Sequence, residues 1–332
     1  MKVWKAGLVA VAALSLFGCG AKDDKASGDS KGKQLKIAVI PKAEAHIFWK
    51  TCQAGALTAE KELGVDVIWK GPDKPDDRNS QVQTVQNFAV KGVDAMAVAP
   101  VDGDVLTKPI ESAAKEGIKM VVFDSGLKRF DKVESFVATD NYRGGVICGE
   151  HMAKLLGGKG KVIMMRMLEG SISTGKREQG FLDGLKKAGP NIELLSVNEY
   201  GGTSVGSGQK KAQLLLNKYA KDVDGIFTCN ETTTEGMLLA LNQQGLAGKV
   251  KFIGFDTNQA LINGLKENKV HGLAVQSPFK MGYLAVKKAY EALKGEKIKK
   301  NVDTGVALIT PENMNTAESK QILSPDISIL NK

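Results

Sequence analysis

The feature that most constrains this chain is an alternation of short apolar runs with longer segments of helical period, which continues along nearly its whole length. The apolar runs, such as residues 36–40 and 95–99, are rich in Val, Ile and Ala and mostly continuous, as strands buried on both faces require. Residues 48–63, between the first two runs, place apolar side chains at helical spacing. This alternation is typical of parallel sheets with crossover helices, so we expect an α/β fold.

Nine apolar runs are predicted strands. They are residues 36–40, 65–69, 95–99, 119–124, 161–165, 192–197, 225–230, 250–256 and 272–276. A chain of 332 residues is too long for one ordinary core, since domains usually contain about 100–200 residues. We therefore expect two domains.

The first segment, residues 1–19, is predicted to be an export signal. Lys2 and Lys5 precede the apolar run 6–17, which is shorter than the roughly 20 residues that a spanning helix needs. The segment ends in LFGC, which resembles the bacterial lipobox, so Cys19 is predicted to carry lipid; a plain signal peptide with an incidental Cys is the alternative. Residues 20–34 are predicted to be a flexible tether, rich in Ser, Gly, Asp and Lys. The protein is thus expected to be exported and lipid-anchored, in the periplasm or at the outer cell surface.

The remaining cysteines and the histidines indicate neither a metal site nor a cofactor. Cys52, Cys148 and Cys229 each lie in an apolar segment and are predicted to be buried thiols, with a disulfide between two of them as the alternative. The three histidines lack the spacing of metal ligands. The net charge of +9 comes from basic residues spread along the chain rather than from a dense run, so no nucleic-acid partner is expected.

Polar residues at the predicted strand ends indicate a binding site, because ligands of open parallel sheets bind outside the carboxyl ends of the strands. These residues are Asp124, Asn230, Asp256 and Gln276. Their side chains match the paired hydroxyls of a sugar or polyol, although capping of the next helix is the alternative for each Asp or Asn. Phe48 and Trp49 open the first predicted helix and offer flat faces to the apolar side of a sugar ring.

Several longer stretches carry a resemblance to a known family. They are LKIAVIPKAEAHIFWKTCQAGA, VKGVDAMAVAPVDGDVL, IKMVVFDS, FVATDNYRGG, KREQGF, DGIFTCNETTTEGMLLAL, FIGFDTNQALINGL and HGLAVQSPFKMG. From residue 36 to about 310 the chain resembles the type I periplasmic sugar-binding proteins of ABC transporters, the ribose-binding group in particular. This resemblance implies two Rossmann-like lobes with parallel sheets, joined by a three-strand hinge and closing on one sugar. It places residues 35–139 plus 277–304 in the N-terminal lobe and residues 140–276 plus 305–332 in the C-terminal lobe.

The resemblance also implies a set of ligand contacts from both lobes. Carried over residue by residue, they are Lys42, His46, Phe48, Trp49, Asp124, Ser173, Asn230, Asp256 and Gln276. The chain departs from the ribose-binding pattern at Ala99, which replaces an Asn, and at Ser125, which replaces an Arg. The family's loop arginine is also absent, and Arg177 is predicted to brace that loop, with contact to the ligand as the alternative. These departures predict a different sugar, a polyol or a related signalling molecule as the ligand.

The partners implied by the resemblance are a sugar or polyol ligand and an ABC permease with its ATPase, and a chemoreceptor is a further candidate. Contact with the membrane is expected through the lipid anchor only. A monomer without covalent chemistry and without a cofactor is predicted, so the protein is not expected to be an enzyme.

The main alternative is a secreted serine hydrolase that uses Ser204, Asp256 and His271. Residues 202–206 match the GxSxG pattern, and the three residues follow in hydrolase order. However, the predicted strand ends at residue 197, which would leave Ser204 in a loose loop, and His271 begins its strand at the opposite edge of the sheet. A P-loop at residues 170–177 is disfavoured because Arg177 stands where Ser or Thr must bind magnesium.

Overall fold

The computed structural model describes residues 34–72, 76–129 and 131–331, and within them the chain forms two six-stranded sheets. The predicted export signal, Cys19 and all but the last residue of the predicted tether lie outside the described residues. None of the described helices combines the length and the apolar character that crossing a membrane requires.

The described residues form twelve strands. They are β1 (Lys36–Ile40), β2 (Asp66–Trp69), β3 (Ala95–Val98), β4 (Lys119–Phe123), β5 (Ser135–Ala138), β6 (Lys159–Arg166), β7 (Asn191–Tyr200), β8 (Gly225–Thr228), β9 (Lys251–Phe255), β10 (Gly272–Gln276), β11 (Asn301–Asp303) and β12 (Val306–Ile309).

The same residues form ten α-helices and a final 3-10 turn. The helices are α1 (Ile47–Leu63), α2 (Arg78–Lys91), α3 (Thr107–Lys115), α4 (Asn141–Leu155), α5 (Ile172–Ala188), α6 (Val205–Tyr219), α7 (Glu231–Gln243), α8 (Gln259–Lys266), α9 (Pro278–Leu293) and α10 (Ala317–Leu323). Local sequence fixes several of their ends. Asp77 and Asp140 cap α2 and α4 by accepting bonds from the backbone N–H three residues on, and Gly64 ends α1 in the left-handed conformation.

The two sheets have corresponding strand orders. The first is β2-β1-β3-β4-β5-β11 and the second is β7-β6-β8-β9-β10-β12. All pairs are parallel except β10 with β12. We call the first sheet with α1, α2, α3 and α9 the first lobe, and the second sheet with α4 to α8 and α10 the second lobe. The expected α/β fold with two Rossmann-like lobes is confirmed.

The chain passes between the lobes three times, at residues 139–140, at residue 277 and at residues 304–305. Two of these segments lie side by side, because the hydroxyls of Thr139 and Thr304 are 3.4 Å apart and Thr139 Oγ1 donates to the carbonyl of Gly305 at 3.2 Å. The end of the chain also touches both lobes. Helix α10 packs on β10 of the second lobe, whereas the 3-10 turn Ser328–Asn331 contacts α1 of the first.

All nine predicted strands are present, but β5, β11 and β12 were not predicted. Each contains only three or four residues, and β11 has a single apolar residue among its three. A second error concerns β7, an edge strand that runs to Tyr200 instead of ending at residue 197. Polar and apolar residues alternate along much of β7 and none of them is fully buried, so no continuous apolar run marks its last three residues.

The three cysteines of the described residues are buried and free, so the prediction of core thiols is confirmed and the disulfide alternative is wrong. Cys52 packs beneath the first sheet, and Cys148 and Cys229 belong to one core cluster of the second lobe. Burial raises the pKa of all three thiols, which makes them inert core residues.

Candidate functional site

The carboxyl ends of both sheets border one pocket, which is lined by residues of both lobes. All nine residues predicted as ligand contacts line it: Lys42, His46, Phe48, Trp49, Asp124, Ser173, Asn230, Asp256 and Gln276. The lining also contains residues that were not predicted as contacts: Met167, Thr174, Arg177, Thr203, Glu231 and Thr232. The structure therefore brings the predicted set together and enlarges it.

On the first-lobe side, a buried ion pair joins Lys42, just after β1, to Asp124, just after β4. The Nζ atom of Lys42 is 3.0 Å from Asp124 Oδ2 and donates to Ser173 Oγ of the second lobe at 3.1 Å. Burial lowers the pKa of Lys42, and the Asp124 carboxylate opposes that shift. Asp124 has a φ of 59°, a left-handed conformation that Asp tolerates better than most residues. Lys42 thus links the two lobes at the wall of the pocket.

The second lobe holds a matching carboxylate at Asp256, just after β9, whose φ is 67°. Its Oδ1 accepts from Gln276 Nε2 at 2.6 Å, and its Oδ2 lies 3.5 Å from Arg177 Nη1 and accepts from the backbone N–H of Glu231 at 3.3 Å. Burial raises the pKa of Asp256, and the Arg177 guanidinium opposes the rise. The carboxylate is held in one orientation by three donors.

Arg177 lies in the wall of the pocket, the position that its alternative role as a ligand contact requires. It is 3% exposed, lies 4.0 Å above the Phe255 ring, and donates to Asn141 Oδ1 at 2.8 Å and to the Cys229 carbonyl at 3.0 Å. A sequence signal was available: residues four apart share one face of a helix, and Ser173 of the same helix was already a predicted contact.

The aromatic pair Phe48 and Trp49 forms the apolar part of the pocket. Their rings meet edge to face with centroids 4.9 Å apart, and Trp49, 6% exposed, also packs edge-on against Phe123 at 6.2 Å. His46 precedes them and lines the same pocket, and its pKa is lowered by burial. This aromatic pair can cover the C–H face of a ring-shaped ligand.

Among the polar residues, Asn230 and Gln276 differ in how fully they are satisfied. The Asn230 amide donates to Thr232 Oγ1 at 2.9 Å and accepts from Thr233 Oγ1 at 2.6 Å, so it is braced within its own turn. Gln276 is 2% exposed, and no hydrogen-bond partner of its Oε1 exists among the described residues. A buried acceptor without a partner is costly, which makes this atom a candidate ligand contact.

Glu231 is the carboxylate of the pocket that sequence reasoning missed. It is 8% exposed, and its carboxylate accepts from the Phe48 backbone N–H of the other lobe and from Asn258 Nδ2, both at 3.4 Å. Burial and the neighbouring Asp256 carboxylate raise its pKa to about 7. Its position directly after the strand-end residue Asn230 was the signal that could have found it.

Comparisons with known proteins agree with this architecture. The family described as periplasmic binding protein domain matches residues 37–297. The chain belongs to the periplasmic binding protein family. As a member of that family it is 29% identical over 289 residues to the D-ribose/D-allose-binding protein of Pseudomonas aeruginosa, across 83% of this chain and 88% of that protein.

Solved structures of other periplasmic binding proteins resemble this one closely. A carbohydrate transporter solute-binding protein from Agrobacterium radiobacter, in complex with D-arabinose, has a TM-score of 0.84 and 31% identity, covering 88% of this chain and 99% of that one. An ABC transporter solute-binding protein from Agrobacterium vitis with bound D-fucose has a TM-score of 0.83 and 33% identity, covering 87% and 100%. The resemblance to type I sugar-binding proteins of ABC transporters is thereby confirmed, and family membership implies a location outside the cytoplasm.

The residues of the hydrolase alternative do not form a triad in this periplasmic binding protein. Ser204 is the N-cap of α6 and forms a capping box with Ser207. His271 lies at the start of β10, where its Nδ1 accepts from the Phe252 backbone N–H at 3.2 Å, whereas Asp256 lies at the opposite, carboxyl edge of the sheet. The expected loose loop is nevertheless wrong, because β7 reaches Tyr200 and the turn before Ser204 is short.

Proposed function

We propose that this protein captures a sugar or a sugar-like polyol between its two lobes and delivers it to an ABC importer. The observation that carries the proposal is the pairing of Asp124 with Lys42 and of Asp256 with Arg177 on opposite walls of one pocket. The sugars bound by the relatives named above support the same class of ligand.

The chemistry of the two walls suits hydroxyl groups. Each carboxylate accepts a hydroxyl hydrogen while its cationic neighbour donates to a hydroxyl oxygen, so one pair can hold two adjacent hydroxyls. Trp49 and Phe48 cover the apolar face of the ring. Together these contacts take a neutral polyhydroxylated ring or chain without covalent chemistry, so the proposed protein is a binder and not an enzyme.

We further propose that binding closes the lobes about the three crossing segments, with residues 35–139 plus 277–304 moving against residues 140–276 plus 305–332. Contacts between the lobes outside the pocket support a closed form: Arg78 Nη2 donates to the Glu169 carbonyl at 2.8 Å, and the Gly103 N–H donates to the Gly170 carbonyl at 3.2 Å. Hinge closure of this kind traps a ligand away from water. A monomer suffices, because both walls come from one chain.

The proposed location is the periplasm or the outer cell surface, with a lipid on Cys19 and a tether at residues 20–34 that join the protein to a membrane. The proposed partners are a permease with its ATPase and, as a further candidate, a chemoreceptor. Two closed lobes present a single surface that both kinds of partner can distinguish from the open form.

A thermal-shift screen of the purified protein against pentoses, hexoses and polyols tests the function. A ligand at 100 times its dissociation constant stabilises the protein by about 2.7 kcal/mol, which is readily measured as a rise in the melting temperature. Stabilisation by at least one sugar or polyol, reduced in an Asp256→Asn variant, is the expected result. Failure of the whole panel to stabilise the protein would contradict sugar capture.

A further inference from the structure

The charges that line the pocket do not balance. Its acidic residues are Asp124, Glu231 and Asp256, and its lysine and arginine residues are Lys42 and Arg177, so three carboxylates face two cations. Lys42 is paired with Asp124 and Arg177 with Asp256. Glu231 is the carboxylate that remains.

No lysine, arginine or histidine of the described chain lies within ion-pair distance of Glu231. Its partners are two neutral N–H donors at 3.4 Å, longer than a typical hydrogen bond to a carboxylate. Asn258 is in addition shared, since its Nδ2 also donates to Glu235 at 2.7 Å. His46 supplies no reliable countercharge at neutral pH, because burial lowers its pKa.

A carboxylate that is 8% exposed and lacks a cation is expensive, because its hydration is lost without compensation. The raised pKa of Glu231, about 7, reflects that cost. The Oε1 atom of Gln276 adds an acceptor without a partner in the described residues, on the same pocket. With Glu231 ionised, the pocket therefore has one negative charge in excess and one buried acceptor, Gln276 Oε1, without a donor among the described residues.

We propose that the ligand is an amino sugar or an amino polyol, whose ammonium group binds the carboxylate of Glu231. This inference rests on the proposed function and narrows its ligand class. An ammonium group supplies the missing positive charge, and its three N–H groups are hydrogen-bond donors. The hydroxyls of the same ligand remain for the Asp124 and Asp256 walls.

The test is isothermal titration calorimetry at pH 7 with matched pairs that differ only in one nitrogen: D-glucosamine with D-glucose, D-galactosamine with D-galactose, D-mannosamine with D-mannose, and glucamine with sorbitol. In at least one pair the amino compound should bind about 10-fold or more tightly than its neutral partner, as expected for a hydrogen bond to a charged group. The Glu231→Gln variant should lower that preference about 10-fold or more, with weaker binding of the amino compound and tighter binding of the neutral one.

Glu267→Gln is the control, since Glu267 is exposed directly after α8 in the same lobe and does not line the pocket. It should keep the preference of the wild type. If Glu231 has a purely structural role, Glu231→Gln will weaken the binding of both compounds of a pair by the same factor. That result would overturn the inference. Equal or tighter binding of the neutral compound in every pair would also overturn the inference, while the proposal of sugar capture would stand. If neither member of any pair binds, and the pentose and polyol screen is also negative, both proposals fail.

Discussion

Asp124 and Asp256 occupy equivalent places in the two lobes. Asp124 follows β4, the third strand counted from β11 in the first sheet, and Asp256 follows β9, the third strand counted from β12 in the second. Both residues have a left-handed backbone, with φ values of 59° and 67°. Each also donates its backbone N–H to the next strand, Asp124 to the Val137 carbonyl and Asp256 to the Ala274 carbonyl. These two turns direct the carboxylates into one pocket from opposite sides. The left-handed conformation costs about 1–3 kcal/mol at each of the two residues.

The first prediction concerns this pair. Asp256→Asn keeps the size of the side chain, and Asn also tolerates a left-handed backbone. The variant lacks the negative charge that faces Arg177, so ligand affinity should fall by about 1–3 kcal/mol. Calorimetry with the best ligand of the screen measures the loss. Asp183→Asn, an exposed change on α5 of the same lobe, should leave the affinity unchanged. Equal affinities of both variants would argue against a ligand contact at Asp256.

A second prediction tests closure of the lobes. A Cβ atom at Gly103 would lie 2.5 Å from Ile172 Cγ1 of the other lobe, while the nearest atom of its own lobe, the Gly126 carbonyl oxygen, would be 3.1 Å away. Gly103→Ala should therefore weaken ligand binding by about 1–3 kcal/mol through overpacking of the closed interface.

Small-angle scattering provides the direct readout of that closure. Saturating ligand should reduce the radius of gyration of the wild type more than that of Gly103→Ala. Gly206→Ala is the control, because a Cβ atom there meets nothing within 4 Å. An unchanged radius for the saturated wild type would contradict hinge closure.

The third prediction separates stability from binding at Ser204. Because Ser204 caps α6 and its side chain accepts from the Ser207 N–H, Ser204→Ala should lower the free energy of unfolding by about 0.5–2 kcal/mol. Ligand affinity should stay the same. Denaturant unfolding and calorimetry measure the two quantities, and an esterase activity of the wild type that disappears in Ser204→Ala would revive the hydrolase alternative.

The fourth prediction concerns acid stability. Burial, then Lys251 and His151, lower the pKa of His271 from 6.5 to about 4 in the folded protein. The unfolded chain therefore binds more protons between pH 6.5 and 4, so His271 lowers the stability as pH falls through that window. Glu231, with a pKa raised from 4.5 to about 7, has the opposite effect between pH 7 and 4.5.

Melting temperatures of the wild type and of His271→Gln, measured across this range, isolate the histidine. The difference between them should change in favour of the variant as the pH falls from 6.5 to 4. A difference that does not vary with pH would show that His271 has the same pKa in the folded and unfolded chains.

The fifth prediction concerns the proposed anchor. Cys19→Ser should abolish labelling by a radioactive or clickable fatty acid and release the protein from the membrane fraction. Replacement of the buried Cys52 by Ser should leave labelling intact, because that thiol is enclosed in the first lobe. Absence of lipid on the wild-type protein would contradict the anchor while leaving sugar capture untouched.

The sequence predicted the pocket better than it predicted the strands that flank it. Strand-end residues such as Asp124 and Gln276 could be found because parallel topology brings carboxyl ends to one edge whatever the details of packing. Arg177 and Glu231 were harder, since a helix face must be oriented before its charged residues can be assigned to the pocket or to solvent. The strand β11 contains three residues and is held by pairing with β5, a long-range contact that no local pattern records.

We expect the 3-10 turn Ser328–Asn331 to resist opening of the lobes. Its helix α10 is fixed to the second lobe while the turn itself rests on α1 of the first, so any rotation of the lobes must slide or peel it from that helix. Removal of this turn should change the angle between the two lobes in the absence of ligand, without altering any residue of the pocket. Truncation at this turn is therefore a way to adjust the range of ligand concentrations over which a sugar sensor built from this protein responds.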